Sequence, residues 1–290
     1  MTSVDADRYQ LADRNISRIG YGAMQLAGDG VFGPPRDRDE ALAVLRAAVE
    51  AGVDHIDTAQ FYGPGVVNVL IREALYPYPD GLALVSKVAA RRDDSGAVLP
   101  YDEPHQLRAG VEDNLRTLGI EQLTAVNLRL MDKAVPDNRF VDQLGAMIQA
   151  RDEGLIAGIG LSNISLAHLL RALEFTEIVC VQNFFNLADR KSLPILHECV
   201  AREIAFVPFC PLGWPRVQHE QIRTDPVITG IAQAHDGTPA QIALAWLLAL
   251  APNVLLIPGT SKRSHLAENL HAGTIALHPD QVTALTERFA

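Results

Sequence analysis

The chain has 290 residues, 48% of them hydrophobic, and a formal net charge of −10. That length admits one large α/β domain or two smaller ones, and the acidic balance argues against nucleic acid or an anionic membrane as partner. Three cysteines (Cys180, Cys199 and Cys210) lack CxxC spacing and a histidine cluster. Neither a disulfide framework nor a metal is therefore expected, and the thiols read as buried groups in a reducing cytosol.

Residues 1–10 are polar and acidic, with no leader or anchor pattern. The most apolar stretch, 241–252, is too short to span a bilayer. A cytoplasmic protein without a membrane partner is expected. A hairpin is predicted from 9–11 and 16–18, followed by a first strand over 19–22, a Gly/Pro-rich loop over 28–35 and a helix over 40–51. Strand and helix then alternate: strand 53–57, helix 66–75, strand 83–87, a polar loop over 91–104, helix 105–118, strand 124–128 and helix 140–153. The alternation continues with strands at 156–161, 178–181 and 204–208 and helices at 165–175 and 192–203. A loop to about 223 precedes helices at 226–235 and 239–250, strand 254–257, and closing helices at 264–271 and 279–288.

Short apolar strands alternating with helices predict a (β/α)8 TIM barrel with an N-terminal β-hairpin, as one domain over 1–290. A doubly wound sheet is the alternative, but no Gly-x-Gly-x-x-Gly follows an early strand. Gly52 ends a helix, Val53 to Ile56 make a brief strand, and Asp57 falls at its carboxyl end with Tyr62 on the loop beyond. A barrel enzyme keeps its chemistry there, although a capping aspartate and a packed tyrosine would read the same way. The other strand ends supply Lys87, Arg129, Ser162-Asn163, Gln182-Asn183, Phe209 and Gly259-Thr260-Ser261-Lys262.

Asp57, Tyr62 and Lys87 make a chemically sensible set. A free phenol has a pKa of about 10. A nearby ammonium lowers that value, and a carboxylate keeps the ammonium charged and oriented. The product is a phenol able to protonate an oxygen as it becomes an alkoxide.

Five separated motifs occur in order: Gly20-Tyr21-Gly22-Ala23-Met24; Val53 to Tyr62 with Lys87; Gly160-Leu161-Ser162-Asn163; Val207-Pro208-Phe209-Cys210-Pro211-Leu212-Gly213; and Ile257-Pro258-Gly259-Thr260-Ser261-Lys262 with Glu268-Asn269. Through them the chain resembles the aldo/keto reductases over essentially its whole length. The resemblance implies NADPH bound across the barrel mouth and hydride transfer to an aldehyde or ketone, with Tyr62 as proton donor tuned by Lys87 and Asp57. It assigns Gly22, Ala23, Met24, Asp57, Ser162, Asn163, Gln182, Phe209, Cys210, Pro211, Leu212, Gly259, Thr260, Ser261, Lys262, His265, Glu268 and Asn269 to the cofactor. Phe209 stands where the family usually stacks a tyrosine. The helix start after Lys262 suits a phosphate, with Lys262 or Arg263 meeting a 2′-phosphate and His265 where many members carry arginine.

The family's histidine after strand four is absent, and Arg129 holds that slot. Either Arg129 is structural, paired with an acid such as Asp132, or its guanidinium replaces the histidine as donor to the carbonyl oxygen. The second is favoured because the rest of the set is intact. Residues 21–28, 31–38 and 127–131 resemble bacterial pyridoxal reductases, which implies an aromatic aldehyde bearing an anionic oxygen. Tyr21 and Trp214 are further candidates for the substrate pocket. Two other classes compete: an NADPH-binding regulatory subunit, as in the potassium-channel β-subunits that share this fold, and a metal hydrolase built on the scattered histidines. A monomer is expected.

Overall fold

The computed structural model describes residues 8–132 and 135–289, so most of the polar N-terminal stretch discussed above lies outside the described residues. β1 (Arg8–Leu11) and β2 (Arg14–Ser17) form the expected antiparallel hairpin. β3 (Tyr21–Gly22), α1 (Arg38–Glu50), β4 (His55–Asp57), α2 (Val66–Leu75), β5 (Ala83–Arg92) and β6 (Val98–Tyr101) follow. The alternation proceeds through α3 (Pro104–Leu118), β7 (Leu123–Arg129), α4 (Asn138–Asp152), β8 (Ile156–Ser162) and α5 (Leu166–Leu173). Then come β9 (Cys180–Phe184), α6 (Leu193–Ala201), β10 (Ala205–Phe209), α7 (Arg216–Thr224), α8 (Pro226–Ala234), α9 (Pro239–Leu250), α10 (Arg263–His271) and α11 (Pro279–Arg288).

The parallel sheet runs β10-β9-β8-β7-β5-β4-β3, and residues 254–259 join its two edges. Val254 bridges Phe206, Leu256 bridges Ile19 and Gly259 bridges Gly22, all in parallel. The expected eighth strand is thus present as a series of isolated bridges, interrupted where Pro258 removes a backbone donor and resumed at Gly259. Arg18 reinforces the seam by donating to the carbonyls of Leu248, Ala251 and Val254.

Alternation along the strands sorts the side chains. Val126, Leu128, Ile159, Leu161, Val181 and Phe206 belong to the large core under the helices. Ala83, Val85, Ala125, Cys180, Ala205, Val207, Leu255 and Ile257 form a separate cluster with Leu11 and Ile16 of the hairpin. That second cluster fills the barrel, and the hairpin plugs its floor. Two interior positions require glycine. A Cβ on Gly20 would lie 2.2 Å from Nε2 of His55, and one on Gly160 would lie 2.3 Å from Oδ1 of Asn127.

Two stretches read as loops are regular. The polar loop over 91–104 contains β6, paired antiparallel with an extended β5 to make a flap above the rim. β5 changes partner from β7 to β6 at Ala89, whose φ of 82° bends the strand. Asp93 Oδ1 accepts from the amides of Ser95 and Ala97, and Gly96 completes the turn at φ 84°. The loop before 223 contains α7, a mostly polar and charged helix whose one buried residue is Ile222, so it lacks the apolar content that marks the other helices.

Candidate active site

β4 delivers Asp57 to the rim, and the loop beyond it folds back so that Tyr62 N donates to Ala59 O at 3.0 Å. Gly63 and Gly65, at φ 74° and 72°, then turn the chain into α2. The adjacent β5 delivers Lys87. Asp57 and Lys87 are each 4% exposed and Tyr62 is 7% exposed, so the three are withdrawn from bulk water. The Lys87 ammonium pairs with Asp57 Oδ1 and donates to the Thr58 carbonyl at 2.9 Å. Its Nζ lies 5.0 Å from the Tyr62 ring centroid. The second Asp57 oxygen accepts from Gln182 Nε2 at 2.8 Å.

Burial raises the Tyr62 pKa, against the attraction of Lys87 and Arg129, which lowers it, and with Asp57, which raises it further. The lysine acts in the expected direction, but burial outweighs it. The phenol therefore stays protonated at neutral pH, the form a proton donor needs. For Lys87, burial opposes the charged form, but Asp57 and Tyr62 together hold its pKa above the ordinary value.

Arg129 ends β7 opposite Ser162. Its half-buried guanidinium donates to the Met131 thioether at 2.9 Å. Among the described residues no carboxylate lies within ion-pair distance, so the expected alternative of a pair with Asp132 is not seen. Burial pushes its pKa down and the Tyr62 phenol draws it back up. A weakly solvated cation next to a phenol is an electrophile for a developing oxyanion.

The remaining candidates line the same rim. Gly22 pairs in register with Asp57 and bridges Gly259, bringing Ala23 and Met24 beside the site. Ser162 is buried opposite Gln182, and its hydroxyl makes no hydrogen bond among the described residues. Asn163 takes a left-handed conformation (φ 57°), with its amide group on the Leu130 carbonyl at 2.8 Å. Phe209 ends β10, its ring edge-on to Phe184 at 5.6 Å, and Cys210 turns left-handed ahead of Pro211 and Leu212. Thr260 Oγ1 accepts from the Lys262 amide, and Glu40 Oε1 of α1 accepts from the Arg263 amide at 3.2 Å, so the amides of Ser264 and His265 are the first-turn N–H groups of α10 left for an anion. Ser261, Lys262, His265 and Glu268 are exposed there, while Asn269 is buried.

Three expectations change. Tyr21 is fully buried and donates to the Thr260 carbonyl, so it ties β3 to the loop and offers no wall to a substrate. Arg263 is committed to Glu40 of α1 at 3.1 Å, which leaves Lys262 as the cation for a 2′-phosphate. Gln182 Nε2 donates to Asp57 Oδ2, so besides the expected carboxamide contact its amide braces this carboxylate. Trp214 is 67% exposed beyond β10. One feature was read only as one of the scattered histidines, and a second escaped the sequence reading. His55 fills the barrel two residues below Asp57, with neither ring nitrogen hydrogen-bonded among the described residues. Asn68, whose signal was an amide on the apolar face of α2, lies in a buried cluster behind the strand ends.

Comparison with known proteins agrees with this geometry. The Aldo/keto reductase family matches residues 18–288. The chain is 44% identical to pyridoxine 4-dehydrogenase of Escherichia coli K12, covering 97% of this chain and 98% of that one. A crystal structure of a thermostable aldo-keto reductase in complex with the inhibitor epalrestat superimposes with a TM-score of 0.83 at 28% identity, covering 97% and 98% of the two chains. A Klebsiella pneumoniae aldo/keto reductase in complex with NADP and acetate gives a TM-score of 0.81 at 23% identity, covering 98% and 95%. Rim, closure and sequence thus agree: the chain belongs to the aldo/keto reductase family.

Proposed function

We propose that the chain reduces an aromatic aldehyde to an alcohol with NADPH, and that pyridoxal, giving pyridoxine, is its substrate. The rim fits a dinucleotide. The Ser264 and His265 amides at the start of α10, with Lys262, suit phosphate, Phe209 offers a ring face, and Ser162 a hydroxyl without a hydrogen bond among the described residues. When bound, NADPH supplies the hydride that the carbonyl carbon receives. Tyr62 gives its proton to the carbonyl oxygen as the alcohol forms, and Lys87 stabilises the phenolate left behind. Asp57, held by Gln182, keeps Lys87 charged and in place. Buried walls exclude water from the transfer.

The observation that carries the substrate reading is Arg129, a guanidinium beside Tyr62 without a counter-carboxylate among the described residues. Pyridoxal presents a phenolic oxygen ortho to its aldehyde, which a fixed cation can hold as the carbonyl reacts. The similarity to a pyridoxine 4-dehydrogenase supports the same choice. NADPH oxidation measured with pyridoxal, pyridoxal phosphate, benzaldehyde and a sugar aldehyde tests it. Preference for pyridoxal is expected. A preference for the sugar would overturn the substrate, and tight NADPH binding without turnover on any of the four would point to a regulatory protein.

A further inference from the structure

We infer that a buried amide cluster outside the barrel, centred on Asn68, is a positioning device that sets the spacing of Tyr62, Asp57 and Lys87. This rests on the proton-transfer roles proposed above. The cluster is built from four elements. Thr58, next to Asp57, donates its hydroxyl to Asn68 Oδ1 at 2.8 Å. Ser86, next to Lys87, donates to Asn114 Oδ1 at 2.6 Å. Asn68 Nδ2 donates to that same Asn114 oxygen at 2.9 Å, and Asn114 Nδ2 closes the chain on the Gly110 carbonyl within α3. On the other side Asn68 Nδ2 reaches Gln60 Oε1 at 2.9 Å, and Thr117 Oγ1 also meets Gln60 at 3.2 Å.

The placement gives the cluster its function. Neighbouring residues on a strand face opposite ways, so Thr58 and Ser86 face the helices because Asp57 and Lys87 face the barrel. Asn68 and Asn114 together therefore tie the back of the β4 end, the back of β5 and the loop that ends in Tyr62. Thr58 also connects the two sides directly: its hydroxyl is fixed by Asn68 while its carbonyl accepts from the Lys87 ammonium. Thr58, Asn68, Ser86 and Asn114 are fully buried, so none of these bonds can be replaced by solvent at no cost. An apolar cluster would pack as well but would not set the loop's height against Lys87. Hydrogen bonds are directional, and the catalytic distance depends on direction.

The test compares Thr58→Val with Thr58→Ser, and adds Asn68→Leu. Thr58→Val keeps volume but removes the donor; Thr58→Ser keeps the hydroxyl. Thr58→Val and Asn68→Leu should lower kcat for pyridoxal by about tenfold or more, as a displaced catalytic group does. NADPH affinity, read by quenching of protein fluorescence, should stay within about twofold of the parent, and Thr58→Ser should recover most of kcat. The alkaline limb of kcat against pH should move up in Thr58→Val, because a displaced Lys87 ammonium stabilises the phenolate less. A lower unfolding midpoint with unchanged kcat and an unmoved limb would make the cluster purely structural and overturn the inference. If Asn68→Leu does not fold, the Thr58 pair decides. Tyr62→Phe separates the two claims: turnover surviving in it refutes the proton donor itself, whereas a dead Tyr62→Phe beside fully active Thr58→Val refutes the positioning alone.

Discussion

Arg18 at the floor of the barrel and Arg129 at its rim are both half-buried, yet their partners differ. Arg18 donates to three backbone carbonyls across the closing seam, and nearby Asp54 accepts from Arg8 and from the Ser17 amide. Arg129 has a thioether. Burying a charge costs free energy unless hydrogen bonds replace water, and the floor satisfies that condition within the fold. The rim leaves the condition for a ligand to meet. Burial alone therefore does not separate a structural arginine from a functional one; the inventory of acceptors around it does.

The largest effect that could break this division is at Tyr62. Tyr62→Phe should lower kcat for aldehyde reduction by about 10²- to 10⁴-fold, the range of a lost general acid, with NADPH binding retained. Undiminished turnover would remove the phenol from the mechanism. Lys87→Met comes next. It leaves the Asp57 carboxylate buried with Gln182 as its remaining side-chain partner, so activity should collapse and urea denaturation should show a loss of about 3–5 kcal/mol. A loss below about 1 kcal/mol would mean that Asp57 does not depend on the lysine.

The floor should respond in the opposite way. Asp54→Ala removes the acceptor for Ser17 and Arg8 and should cost about 1–2 kcal/mol with kcat unchanged. A fall in kcat without a fall in stability would erase the distinction between the two ends. The pH dependence sharpens it further. For Asp54, burial is outweighed by His55, the Ser17 amide and Arg8, so its pKa is depressed. Its stabilisation is then present above the ordinary carboxylate pKa of about 3.9 and is lost as pH falls below it. Lys87, held above its ordinary value, contributes stability that is full below about 10.4 and lost as pH rises further. Unfolding midpoints followed across pH should show both limbs, with Asp54→Asn reducing the acid one, which Asp225 also feeds, and leaving the alkaline one unchanged.

Much of this was legible in the residues. Alternating apolar runs and helix caps placed α2, α9 and α11 with the observed bounds, because local period and capping chemistry decide such elements. The β5–β6 flap was missed although Asp93-Asp94-Ser95-Gly96 is turn chemistry, since one flank ends in Arg91-Arg92 and the other, Val98–Tyr101, is short and holds Pro100. Asp57, Tyr62 and Lys87 were legible because they fall at successive strand ends. The direction of the Tyr62 shift was not, because desolvation depends on tertiary packing, which pairwise charge reasoning omits. The Asn68 cluster joins residues up to 57 positions apart, and nothing local announces it.

The central claim is that Arg129, in place of a histidine, lets the rim recognise an anionic oxygen beside the aldehyde. It is tested most directly by kcat/KM for benzaldehyde and 2-hydroxybenzaldehyde, measured for the parent chain and for Arg129→Met. The parent should prefer the 2-hydroxy compound, and Arg129→Met should remove that preference, by about tenfold for one lost charge-assisted contact, while reducing benzaldehyde turnover less. Equal losses on both aldehydes would contradict the account, leaving Arg129 a general electrophile without a part in choosing the substrate.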